Sequence, residues 1–171
     1  NSLLRDQDAW GGVYAADTLP PSPPSQSCYI VNSAPASSRG EHWLAVRVLP
    51  NCVEFFDSYG QPPWCYPLIY AWLQGLRKAR ILYLRQRIQG PRAYCGAYCF
   101  YLLSERPFSR SLYATLFDHP RYVFTSLDAS TEDPALIQRF LSPNDTMVFD
   151  YLYRHTQTLL SVFDDHAIKP C

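Results

Sequence analysis

Two runs of β-forming residues, His42-Trp-Leu-Ala-Val-Arg-Val48 and Cys52-Val-Glu-Phe-Phe-Asp57, are separated only by Leu49-Pro-Asn51. Apolar, β-branched and aromatic runs joined by so short a turn segment predict an antiparallel hairpin. A hairpin constrains the chain strongly. It sets the start of its first strand beside the end of its second, so His42 and Asp57 should meet at one edge of a sheet.

Other strands are expected around this hairpin. Cys28-Tyr-Ile-Val-Asn32 is one; Ala79 to Arg87 is another, because Ile81, Tyr83 and Arg85 alternate with Leu82, Leu84 and Gln86. Trp10 to Pro20 reads as a turn and an extended segment. The Pro/Ser-rich stretch Leu19 to Ser27 reads as a partly polyproline-like loop, Ser33 to Gly40 as a second loop and Ser58-Tyr-Gly60 as a turn. Tyr66, Ile69, Tyr70, Leu73 and Leu76 recur at helical spacing, which predicts a helix within Pro63 to Lys78. Helices are also expected over Leu3 to Gln7, Cys95 to Leu103, Ser109 to Phe117 and Asp133 to Phe140, the last with Pro134 at a first helical position. A separate, longer helix should start at Ser142-Pro-Asn-Asp and include Val148, Tyr151, Leu152 and Leu159. The expected class is α+β: a small mixed sheet flanked by helices, in a single domain over residues 1–171.

The composition agrees with a compact domain. Of 171 residues, 47% are hydrophobic and the formal net charge is zero, which excludes both a disordered chain and a strongly basic or acidic one. No run is long enough for a transmembrane helix and no signal-peptide pattern opens the chain, so an intracellular monomer with no membrane association is expected. The six cysteines are Cys28, Cys52, Cys65, Cys95, Cys99 and Cys171. They form no C-x-x-C pairs and the histidines are scattered, so no metal site is expected and most thiols should be reduced and buried. His119, His155 and His166 read as structural or exposed.

The stretch Gln89-Gly-Pro-Arg-Ala-Tyr-Cys-Gly96 is the chemically suggestive one. A thiol becomes a nucleophile as a thiolate, and a helix N-terminus stabilises that anion through unpaired N–H groups and the helix dipole. Cys95 would sit there, with Gly96 leaving room for a substrate backbone. Cys99, one turn on, would simply pack. His42 could take the thiol proton while Asp57 holds the imidazole in one tautomer. Acyl transfer also needs donors aimed at a developing oxyanion; Gln89 and the Cys95 N–H are the candidates, with Gln86 an alternative to Gln89.

The order His42-Trp43, Phe55-Phe-Asp-Ser-Tyr-Gly60, Gln89-Gly-Pro91 and Cys95-Gly96 resembles the adenovirus-type cysteine endopeptidases (adenain) and their relatives in Maverick/Polinton elements. Gly12-Val-Tyr14, Asp17, Leu19-Pro20 and the late segment Phe149 to His155 extend the resemblance over nearly the whole chain. It implies a papain-like core of the kind shared with SUMO-deconjugating proteases. It also implies catalytic His42, Asp57, Cys95 and Gln89, substrate contacts from Trp43, Gly96, Gly12 and Asp17, and cleavage at Gly-containing sites of precursor proteins during particle maturation, in a virion or host nucleus. No cofactor is required by the sequence. The family implies activation by DNA or a viral peptide, but its activating disulfide position, near Arg80, holds no Cys here. Asp57 stands where many adenoviral members have Glu, and the Gln89-to-Cys95 spacing is one residue shorter than in the adenoviral enzyme.

Arg77, Lys78, Arg80, Arg85, Arg87 and Arg92 cluster without an intervening acid. They read either as a nucleic-acid or polyanion patch, DNA included, or as the solvated face of a helix and strand. Two other functions fit parts of the pattern: a deconjugase cutting after the Gly-Gly tail of a ubiquitin-like modifier, and a non-catalytic nucleic-acid-binding protein.

Overall fold

The computed structural model describes residues 9–104 and 131–154. Five strands form one mixed sheet: β1 (Trp10–Ala15), β2 (Ser27–Asn32), β3 (Trp43–Val48), β4 (Cys52–Phe56) and β5 (Arg80–Tyr83). They lie in the order β1-β2-β3-β4-β5. The two edge pairings are parallel and the two central ones antiparallel. The expected hairpin is β3–β4, with Ala45 opposite Phe56 and Val48 opposite Val53.

Among the described residues three α-helices accompany the sheet: α1 (Pro67–Gly75), α2 (Cys95–Ser104) and α3 (Pro134–Arg154). Side-chain alternation along the strands divides the core in two. Cys28, Ile30, Trp43, Ala45 and Phe56 point to one face and pack with α2 and with Met147 and Val148 of α3. Tyr29, Val31, Leu44, Val46, Val53 and Phe55 point to the other and pack with Ile69 and Leu73 of α1. All six residues of β2 and of β3 are buried, as expected for central strands covered on both faces. This is the α+β arrangement the sequence predicts.

Several boundaries differ from expectation. The helix expected over Pro63 to Lys78 is divided into a 3₁₀ turn, Pro63–Cys65, and α1. Pro67 follows Tyr66 and excludes it from helical backbone; Tyr66 has φ −121° and ψ 80°. The strand expected to reach Arg87 ends at Tyr83, because β4 ends at Phe56 and offers no further backbone to pair with. The two late helices are one: α3 runs through Pro143. Proline removes one i−4 bond there, while buried Ile137, Leu141, Asn144, Asp145 and Val148 hold one continuous face against the core. The helices expected over Leu3–Gln7 and Ser109–Phe117, and Leu159, lie outside the described residues.

Candidate active site

His42 immediately precedes β3 and Asp57 immediately follows β4, so the hairpin delivers both to one end of the sheet. His42 Nε2 lies 2.7 Å from Asp57 Oδ1. Both side chains are buried. Asp57 Oδ1 also accepts the Tyr59 N–H at 2.8 Å, and Oδ2 accepts the Gln61 N–H at 3.1 Å and the Tyr66 hydroxyl at 2.6 Å. The two backbone N–H groups can only donate, and the Tyr66 hydroxyl proton has Oδ2 as its acceptor. The carboxylate therefore acts as acceptor throughout and Nε2 carries a proton. In neutral His42 this places the lone pair on Nδ1. Nδ1 is buried and has no hydrogen-bond partner among the described residues, a costly condition for an isolated acceptor and a useful one for a base.

Two tyrosines fix the imidazole plane. Tyr59 stacks on His42 with centroids 4.7 Å apart, and Tyr66 stacks at 6.2 Å. Arg87 lies 4.9 Å from the Tyr59 ring centre. Burial, with the negative charge of Asp57 beside it, holds the Tyr66 hydroxyl far above its ordinary range, so it stays a protonated donor. Sequence reasoning assigns neither ring a role at the site: Tyr59 stands there as part of a turn and of the Phe55–Gly60 motif, and Tyr66 as a helix-face residue. The readable signal for Tyr66 is its place before Pro67, where it cannot be helical and is free to turn toward the hairpin end.

Cys95 opens α2, as expected, and is fully buried in the core cluster that also holds Trp43, Ala45, Phe56 and Ile88. Trp43 and Phe56 are the chain neighbours of His42 and Asp57, so the helix start is packed against the strands that carry the dyad. The carboxylate of Asp57 is felt one turn further along, where burial first and then this charge push the Cys99 thiol well up. Cys28, Cys52, Cys65 and Cys99 are free thiols. Cys95 is disulfide-bonded; a nucleophilic Cys95 is therefore the reduced form. Cys171 lies outside the described residues.

Gln89 is fully buried between these parts. Its Oε1 accepts the Ser58 hydroxyl at 2.6 Å. Its Nε2 donates to Arg92 O at 2.6 Å and to Tyr59 Oη at 3.2 Å. Gln89 thus ties the turn after Asp57 to the turn entering α2, where Arg92 O also accepts the Tyr94 N–H. Both amide protons are engaged within the protein, a point the sequence did not suggest.

The other expected site residues are dispersed. Trp43 is buried in the core opposite Asn32. Gly96 is half-buried on the first turn of α2. Gly12 sits at a β-bulge of β1 opposite Tyr29, in from the His42 end of the sheet. Asp17 accepts the Ala36 N–H at 2.8 Å and so braces the loop that leads to His42. Among the basic residues, Arg77, Arg80 and Arg85 are exposed and Lys78 is half-buried, bonded to Pro50 O. Arg87 does not join them: it is buried and donates to Gln89 O and Thr131 O. Among the described residues no three His, Cys, Asp or Glu side chains gather as a metal site, and no helix is long and apolar enough to cross a membrane.

No protein-family model and no curated protein matches the chain.

Proposed function

We propose that the protein is a cysteine endopeptidase of papain-like type, acting through Cys95, His42, Asp57 and Gln89. The observation that carries this reading is the buried Nδ1 of His42, without a hydrogen-bond partner among the described residues, while the other ring nitrogen is committed to Asp57 at 2.7 Å. In the reduced enzyme, Nδ1 takes the Cys95 proton and the sulfur attacks the carbonyl carbon of a peptide bond. The oxyanion forms against the Cys95 N–H and the Gln89 amide, which exchanges one internal bond for the substrate oxygen. The imidazolium then protonates the leaving amine as the C–N bond breaks. Water, deprotonated by Nδ1, attacks the thioester; the acid product leaves and the thiol is restored. Asp57 stays ionised throughout and holds the ring. The resemblance to adenain supplies the substrate class: peptides with Gly at the cleavage site, in precursor proteins of a virus or mobile element.

The test is cleavage of a Gly-Gly-containing fluorogenic peptide in the presence of a reductant. Wild type should turn over, and Cys95→Ala and His42→Ala should not. The same assay with a folded ubiquitin-like fusion separates an endopeptidase from a deconjugase. No turnover by the reduced protein, with or without added DNA, would rule the reading out in favour of a binding protein.

A further inference from the structure

Gln89 is held from outside its own loop. The peptide before it exposes Ile88 O, which accepts Asn144 Nδ2 at 2.8 Å. The peptide after it exposes the Gly90 N–H, which donates to Asp145 Oδ1 at 2.8 Å. Asp145 Oδ2 accepts the Arg92 N–H at 3.3 Å. The remaining two groups of these peptides are also paired: Gln89 N–H with Ser58 O, and Gln89 O with Arg87 Nε. Tyr98 lies within reach of both Ile88 O and Asp145 Oδ1; its single proton goes to the carboxylate, the shorter path at 2.9 Å. Asn144 and Asp145 are buried on α3. The contact is tight enough to require glycine: a Cβ on Gly90 would stand 2.6 Å from Asp145 Oδ2 and 3.1 Å from the Leu141 carbonyl carbon.

A buried carboxylate is expensive to desolvate, and burial does push the Asp145 carboxyl up against the opposing pull of its three donors. An apolar residue would pack α3 against the core at less cost. What the carboxylate adds is direction: it fixes two N–H groups in the loop between Gln89 and Cys95.

We propose that Asp145, assisted by Asn144, is a positioning residue that sets the Gln89 amide for the acyl-transfer step. This rests on the reading of Gln89 as an oxyanion donor. The structure places α3, distant in sequence, in control of that donor's backbone.

The test is kinetic, with Asp145→Asn, Gln89→Ala and the double variant. Asp145→Asn should lower kcat by about 10–100-fold, the scale of a misplaced catalytic group, with KM changed less than about threefold. The double variant should be no slower than Gln89→Ala alone. Losses that multiply would show that Asp145 acts elsewhere and would overturn the proposal. Gln89→Ala turning over at the wild-type rate would remove the oxyanion role itself, a failure read from that variant alone. Gly90→Ala disturbs the same contact from the loop side and should repeat the pattern if Asp145→Asn does not fold. Independently of turnover, Asp145→Asn should speed hydrogen exchange at Gly90 and Arg92 selectively. Exchange at those two amides unchanged relative to the sheet would also overturn the clamp.

Discussion

Tyr66 donates its hydroxyl to Asp57 Oδ2 across 2.6 Å, on the carboxylate oxygen that His42 does not use. The same ring lies stacked toward the imidazole. One residue therefore both anchors the carboxylate and backs the base. Tyr66→Phe keeps the ring and removes the donor. It should destabilise the fold by about 1.5–3 kcal/mol, the range for a hydrogen bond to a charged group, measured by urea unfolding. Tyr59→Phe is the comparison: its hydroxyl meets Gln89 and not Asp57. It should leave the carboxylate's own donors intact and cost less.

Asp57→Asn tests the tautomer argument. The carboxylate accepts from two backbone N–H groups as well as from His42. An amide can turn only one oxygen to these donors, and its NH₂ group would face another N–H or stabilise the wrong imidazole tautomer. The expected loss in kcat is on the order of 10²–10⁴ with substrate binding largely kept. A loss below tenfold would show that His42 does not depend on this carboxylate for its base form.

The dyad was legible in the sequence because a short hairpin leaves little freedom: two β-rich runs and a three-residue connection determine which ends meet. Cys95 at a helix start was legible for a similar local reason, in the glycines and proline around it. The grip of Asp145 on Gly90 was not. It joins residues far apart in the chain, and Asn144-Asp145 after Pro143 reads more naturally as a helix start than as a buried clamp within one. Arg87 likewise reads as part of a basic run; only the tertiary structure shows its guanidinium turned inward onto Gln89 O and Tyr59. Periodicity reports which face is buried. It does not report which buried polar group finds which partner.

Burial pushes the Cys28 thiol from its ordinary value of 9.0 up to about 11, although Arg47 pulls the other way. Cys99 is raised too. The folded state thus holds these protons more tightly than the unfolded chain does. The sign follows: the stabilisation is complete below the unfolded thiol value and is lost as pH rises through the folded one. For Cys28 the window is about pH 9 to 11, and the loss at its upper end is roughly 2–3 kcal/mol. Urea midpoints across that window should fall steeply for the wild type and less steeply for Cys28→Ala. Parallel slopes would contradict the burial account.

Alkylation of Cys95 should require prior reduction, since its sulfur is bonded in this structure. Iodoacetamide labelling followed by peptide mass analysis should mark the exposed thiol Cys65 with or without reductant. Cys95 should be marked only after reduction, and faster in wild type than in His42→Ala. Labelling of Cys95 at equal rates in the two proteins would mean that His42 does not activate it.

Gly60 supplies the last test, because two separate requirements meet there. Its φ is 74°, in the left-handed region that side chains disfavour. A Cβ would also lie 2.5–2.7 Å from the backbone N, C and O of Gln86, where no side-chain rotation can relieve the overlap. Gly60 follows the turn that presents the Tyr59 N–H to Asp57, and its own N–H bonds to Asp57 O at 3.0 Å. Gly60→Ala must therefore move either this turn or the Gln86 segment that leads to Gln89. The conformational term alone is about 1 kcal/mol, and the backbone overlap should bring the destabilisation to about 2–4 kcal/mol by urea unfolding. Activity should fall further than Tyr66→Phe reduces it, because the turn carries Asp57, Tyr59 and the Ser58 carbonyl that holds Gln89. A Gly60→Ala protein of wild-type stability would show that the hairpin end and the Gln86 segment are not in the contact described.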